Sequence, residues 1–179
     1  METDPPLRSH DDDGTTVGLF WVSADGVYVG APATPPAPRV ALKASGPRVT
    51  GPHERDWAWS GIAGLEVTEV PVRSTVQRWT THAVSFAAAA LDAWVPSSPT
   101  EMTVSITAPD GTVLTPVHSS AAVAYSGREV DLSRRLISRF TRGTATPTVM
   151  TEWWVQTRPA RILRSREREA LLELWLASD

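Results

Sequence analysis

The chain has 179 residues, 41% of them hydrophobic, and a formal net charge of −3, enough for one ordinary core and no pointer to a particular partner. It contains no cysteine, which excludes disulfides, thiolate catalysis and thiolate zinc sites and fits a reducing compartment. No run approaches the roughly 18 apolar residues of a membrane span, and residues 1–14 lack the apolar centre of a signal peptide, so a cytoplasmic protein with no membrane partner is expected.

Residues 1–14 carry Asp4, Pro5, Pro6 and Asp11-Asp12-Asp13 with hardly an apolar side chain, so a disordered acidic tail is expected there. His10 beside the aspartates has the atoms for a divalent metal, but a mobile tail offers no preformed geometry. From Val17 the pattern turns to β. Val17, Leu19 and Trp21 alternate, Asp25-Gly26 offers a tight turn, and Val27 and Val29 alternate again. Four prolines between Ala31 and Pro38 predict a stiff surface loop. A second hairpin is expected from Val40–Lys43 and Arg48–Thr50 around Ser45-Gly46.

Trp57 and Trp59 stand one residue apart, which on a strand would point both indoles to one face and bury them as an interior wall. Gly61 and Gly64 then bend the chain into a strand over Leu65–Val70, stopped by Pro71. Over 74–94 the period changes: Val76, Trp79, Ala83, Phe86 and Ala90 make the stripe of an amphipathic helix, with Ser74 as N-cap and Pro96 beyond its end. Met102, Val104 and Ile106 alternate, and Asp110-Gly111 turns them into Val113–Val117. Arg128–Thr141 is a helix with Leu132, Leu136, Ile137 and Phe140 on one face and Gly143 past its end. Thr146-Pro147 opens a short helix carrying Met150, Trp153 and Trp154, with a strand alternating Val149, Thr151, Trp153 and Val155 as the competing reading. A helix capped by Ser165 carries Leu171, Leu172, Trp175 and Leu176 to the end.

Seven or eight antiparallel strands followed by the Arg128–Thr141 helix resemble the pleckstrin-homology-like superfold over residues 15–142. The stretch Trp57-Ala58-Trp59-Ser60-Gly61-Ile62-Ala63-Gly64-Leu65-Glu66-Val67 looks like the passage from strand to aromatic, turn and strand found mid-barrel in bacterial members. The whole chain is similar in look to actinobacterial proteins. The resemblance implies an α+β fold: an antiparallel barrel or sheet, an inserted helix at 74–94, and a helical extension over 143–179. It departs at the first hairpin loop, Ser23-Ala24-Asp25-Gly26, where phosphoinositide-binding members carry Lys or Arg and a phosphate would here meet a carboxylate.

Motifs for chemistry are lacking. The histidines at 10, 53, 82 and 118 form no pair at helical spacing, and there is no HExxH, P-loop, G-x-G-x-x-G or G-x-S-x-G. His118-Ser119-Ser120 is best taken as a polar loop, and His53-Glu54-Arg55-Asp56 as a surface turn with incidental ion pairs. The one asymmetry with physical content is charge, since Arg128–Arg168 holds ten arginines against four acids, a local +6. The expectation is a non-enzymatic protein-binding or scaffold domain, with no catalytic residue, cofactor or metal. It would contact a protein partner, or a second copy of itself, through Arg158, Arg161, Arg164 and Arg168, with Leu172 and Trp175 as candidate anchors. The runner-up is nucleic-acid binding by the same arginines with Trp153 and Trp154 stacking on bases, against which stands a pI of 5.8.

Overall fold

The computed structural model describes residues 14–52, 54–73, 100–121 and 124–178; the expected tail over residues 1–14 lies outside the described residues except for Gly14, which opens the first strand, and the expected helix over 74–94 lies outside them altogether. The fold is α+β. Strands β1 (Gly14–Val17), β2 (Phe20–Ser23), β3 (Val27–Val29), β4 (Arg39–Lys43), β5 (Gly46–Thr50) and β6 (Arg55–Asp56) form one antiparallel sheet in sequential order. Strands β7 (Gly64–Thr68), β8 (Glu101–Ala108) and β9 (Gly111–His118) form a second. Both sheets are open among the described residues, so the expected barrel is not closed. Three helices follow: α1 (Gly127–Thr141), α2 (Thr148–Thr157) and α3 (Ser165–Ala177).

Local turn chemistry sets most of the strand boundaries. Asp25-Gly26 closes the β2–β3 hairpin, with the Ser23 N–H donating to the Gly26 carbonyl at 3.0 Å. Ala108 pairs with Gly111 across Pro109-Asp110, which fixes the register of the long β8–β9 hairpin. Along β8 the inward side chains Met102, Val104 and Ile106 are buried, as the alternation predicts. The expected Val17–Val22 strand is instead two strands, because Gly18 (φ +58°) and Leu19 make a two-residue turn between Val17 and Phe20. That turn docks on α1, where the Ser133 hydroxyl accepts from the Leu19 N–H at 3.1 Å and donates to the Glu129 carbonyl at 2.7 Å.

The expected Trp57–Ser60 strand does not form. Trp59 opens a 3-10 turn (Trp59–Gly61), closed by the Gly61 N–H on the Ala58 carbonyl at 2.9 Å. The cause lies outside the segment. The Trp59 indole N–H donates to the Lys43 carbonyl at 3.0 Å while its ring lies 5.8 Å from that of Phe140 on α1. Anchored at both sides, Trp59 turns inward and is buried, whereas Trp57 stays half-buried with the Arg55 guanidinium 5.0 Å above its ring. The two indoles therefore do not share one wall.

One core unites the layers. Val17, Phe20 and Val22 from the first sheet, Val67, Val104 and Ile106 from the second, and Leu136, Ile137 and Phe140 from α1 are buried together. The same core takes in Met150 and Trp154 of α2, which is helical and not the competing strand, and Leu172 and Trp175 of α3. Where β3 ends, Gly30 (φ +74°) comes so close to the end of β9 that a Cβ would lie 2.3 Å from the His118 carbonyl oxygen. That oxygen already accepts the Ala31 N–H at 2.7 Å, joining the two sheets. Gly30→Ala is therefore expected to cost about 1–3 kcal/mol from backbone conformation alone. Urea denaturation would check this against Gly61→Ala, whose Cβ meets nothing within 4 Å and which should change little.

Candidate functional site: a groove along the edge of β7

Two sheets have four edges, and three of them are poor places for another chain to pair. β1 is packed against α3. β6 has two residues. β9 carries Pro116 mid-strand, and a strand proline tolerated there turns its donor-less nitrogen outward and breaks the ladder that a new strand would need. β7 is different: its five residues contain no proline, and among the described residues its outer side has no strand partner.

Helix α1 forms the opposite wall. A groove of about 460 Å³ runs between Ala63–Thr68 and the α1 side chains Arg134, Ile137, Ser138 and Thr141. Those four positions follow the three- and four-residue spacing of one helix face. Leu65, Val67 and Ile137 form an apolar floor, and Arg134 reaches across it, donating from Nη2 to the Val67 carbonyl at 3.1 Å. In a strand the N–H and C=O of one residue point the same way, and those two positions away share that direction. The bond from Arg134 therefore marks Val67 and Leu65 as the residues that present backbone groups outward. Arg134, Arg135 and Asp131 on α1 and Arg142 just beyond its end are exposed, and of these Arg134 alone lines the groove, whose β7 wall carries exposed Glu66.

The residues named from sequence fall elsewhere, and they divide. Leu172 and Trp175 are 0% and 1% exposed, so neither can anchor a partner while α3 is docked. Trp175 meets the Trp153 ring edge-on at 5.6 Å. Arg168 is turned inward as well, its Nε donating to Glu129, a carboxylate with no exposed surface. Glu129 also accepts from the Ser126 N–H at 2.8 Å and the Ser165 hydroxyl at 3.0 Å. Burial would raise the Glu129 pKa, but Arg168, the Ser126 N–H and Ser165 outweigh it and hold the carboxyl below its ordinary value. Arg158, Arg161 and Arg164 are exposed. Arg161 grips Glu167 with both guanidinium arms, and this pairing with the Arg164 N–H brings the Glu167 carboxyl down to about 2.

Part of the local +6 is answered from within. Arg128 pairs with Glu173 and lies 3.8 Å from Glu169, so the acids of α3 beyond Arg168 supply the counter-charge. Arg139 spends its guanidinium on the Leu176 and Thr144 carbonyls. The polar loop expected at Ser119-Ser120 is tied to buried Tyr125, whose hydroxyl bonds Ser119 Oγ and the Ser120 N–H at 3.1 Å each. Among the described residues no three His, Asp or Glu side chains are placed to hold a metal, and no helix is long and apolar enough to cross a membrane. No family model matches this chain, and no curated protein and no solved structure does either.

The groove was not found from sequence. Its two walls were legible separately, β7 from the Leu65/Val67 alternation and α1 from its apolar stripe, but nothing in either stretch says that they face each other.

Proposed function

We propose that this chain is a non-enzymatic protein-binding domain that takes an extended segment of a partner polypeptide between β7 and α1, adding a strand to the β7 edge. The observation that carries the proposal is the groove itself, one unbroken strand edge opposed by one helix face. The five residues of β7 span about 17 Å in extended geometry, which suits an extended partner segment, and main-chain bonding would supply affinity while alternate side chains set specificity. The occupant is an acidic segment. Arg134 is the cation that lines the groove, across from Glu66 on β7, and a carboxylate opposite Val67 would draw Arg134 off the Val67 carbonyl and free that acceptor for a peptide N–H. We also keep the pleckstrin-homology-like superfold as a proposal, supported by the all-antiparallel pairing and by a helix that follows the strands and packs on β7. Nucleic-acid binding has less support, because Trp154 is buried and Trp153, half-buried, packs on Trp154 and Trp175.

Selection of random displayed peptides on the full chain tests the proposal. Enriched sequences are expected to be acidic, and N-methylation at alternate backbone positions should abolish binding while the intervening positions tolerate it. Ser138→Trp, which fills the groove from an exposed position, should weaken binding at least tenfold, and Arg134→Glu should do the same for acidic peptides. Peptides that bind both variants as well as the parent would overturn the assignment, as would a selection that enriches none.

A further inference from the structure

We propose that the loop 158–164 joining α2 to α3, together with Arg166, is a docking surface for anionic lipid bilayers. Arg158, Arg161, Arg164 and Arg166 are all exposed, and among them stands Ile162, which is 87% exposed, the largest value of any bulky apolar side chain among the described residues. Val155, half-exposed on the last turns of α2, adds apolar surface beside the loop. Arg161 is neutralised by Glu167, and Glu152 on α2 is the other exposed acid nearby in sequence. Arg158, Arg164 and Arg166 make no ion pair among the described residues. The chain's overall −3 does not cancel them at a surface, because charges beyond a Debye length of about 8 Å are screened.

The combination of side chains selects the partner class. A lone large aliphatic side chain in a cationic loop gains nothing from a phosphate chain, and of the rings that would stack on bases Trp154 is buried and Trp153 packs against Trp154 and Trp175. An anionic bilayer supplies both complements at once, negative headgroups for the arginines and acyl chains for Ile162. The surface is far from the first hairpin loop in sequence and lies on other elements than the β7–α1 groove, so it is independent of the peptide-binding proposal.

Co-sedimentation of the full chain with vesicles tests this, using phosphatidylcholine alone and a 60:40 mixture with phosphatidylserine, each at low and high salt. Binding is expected to the mixed vesicles and not to the neutral ones, and to disappear at high salt. Each arginine near such a surface contributes about fivefold, or about 1 kcal/mol, so Arg158→Gln with Arg164→Gln and Arg166→Gln should lower partitioning by about 100-fold. Ile162→Asp should lower it at least fivefold, and thermal melts should stay at the parent value because all four side chains are exposed. Equal binding to neutral and anionic vesicles would overturn the proposal, and so would no loss in the triple variant. Full binding by Ile162→Asp, or equally tight arginine-dependent binding to duplex DNA, would show a general polyanion site and overturn it too.

Discussion

Replacing Glu129 by alanine is expected to lower stability by about 3–5 kcal/mol, because removing one member of a buried ion pair strands the other. Arg168 would be left 13% exposed without a counter-charge, and the Ser126 N–H and Ser165 hydroxyl would each lose an acceptor. The same carboxylate closes the capping box that starts α1. For a domain of this size the change corresponds to a fall of about 6–20 °C in melting temperature. The double change Glu129→Met with Arg168→Met removes the charge and its partner together, and should be markedly less destabilised than either single variant. A single-variant loss under about 1 kcal/mol would mean that water reaches the pair.

The pair also fixes a pH dependence. The folded-state pKa of Glu129 is lowered, so its contribution is fully present above the unfolded carboxyl value of about 4.3 and is lost as pH falls through the folded value. Urea midpoints should therefore drop more between pH 6 and pH 3 in the parent chain than in the double methionine variant. Parallel slopes would remove Glu129 as the source.

Trp175→Ala should cost about 3–5 kcal/mol, the range for deleting a large aromatic from a packed interior. Its indole is buried against Trp153, and beside it Leu172 reaches the Gly18 turn, where a Cβ would sit 2.9 Å from Leu172 Cδ1. Leu174, one residue away and 58% exposed, is the control, and Leu174→Ala should change stability by less than about 0.5 kcal/mol. Equilibrium denaturation of the two variants separates an α3 that is part of the core from one that is only laid on the surface. In the second case both substitutions would be mild, and Leu172 and Trp175 would return as candidate contacts.

The residues that sequence reading placed well share a property: their conformation is decided by neighbours within a few positions. Asp25-Gly26 and the Asp110-Gly111 step turn the chain because of what those backbones tolerate. Gly143 bounds α1 at its C-terminal end because a left-handed residue, at φ +69°, stops the helix there, whereas the Ser126 cap at its start was not read from sequence. The apolar stripe of α1 follows from its period alone.

What failed was decided at long range. Gly18 gives no hairpin signal of its own, and its turn is held by Ser133, more than a hundred residues later. The two tryptophans suit a strand until Trp59 meets Lys43 and Phe140. Arg128, Arg161 and Arg168 read as part of a free cationic face until Glu173, Glu167 and Glu129 are brought against them. Sequence by itself determined the α+β class, the hairpins turned at Asp25-Gly26, Ser45-Gly46 and Asp110-Gly111, and the extent of α1, since hydrogen bonding and side-chain period are local. Only the tertiary structure decided which apolar faces meet, which charges are spent internally, and that β7 and α1 leave a channel between them, since each of these depends on surfaces that the chain brings together only when folded.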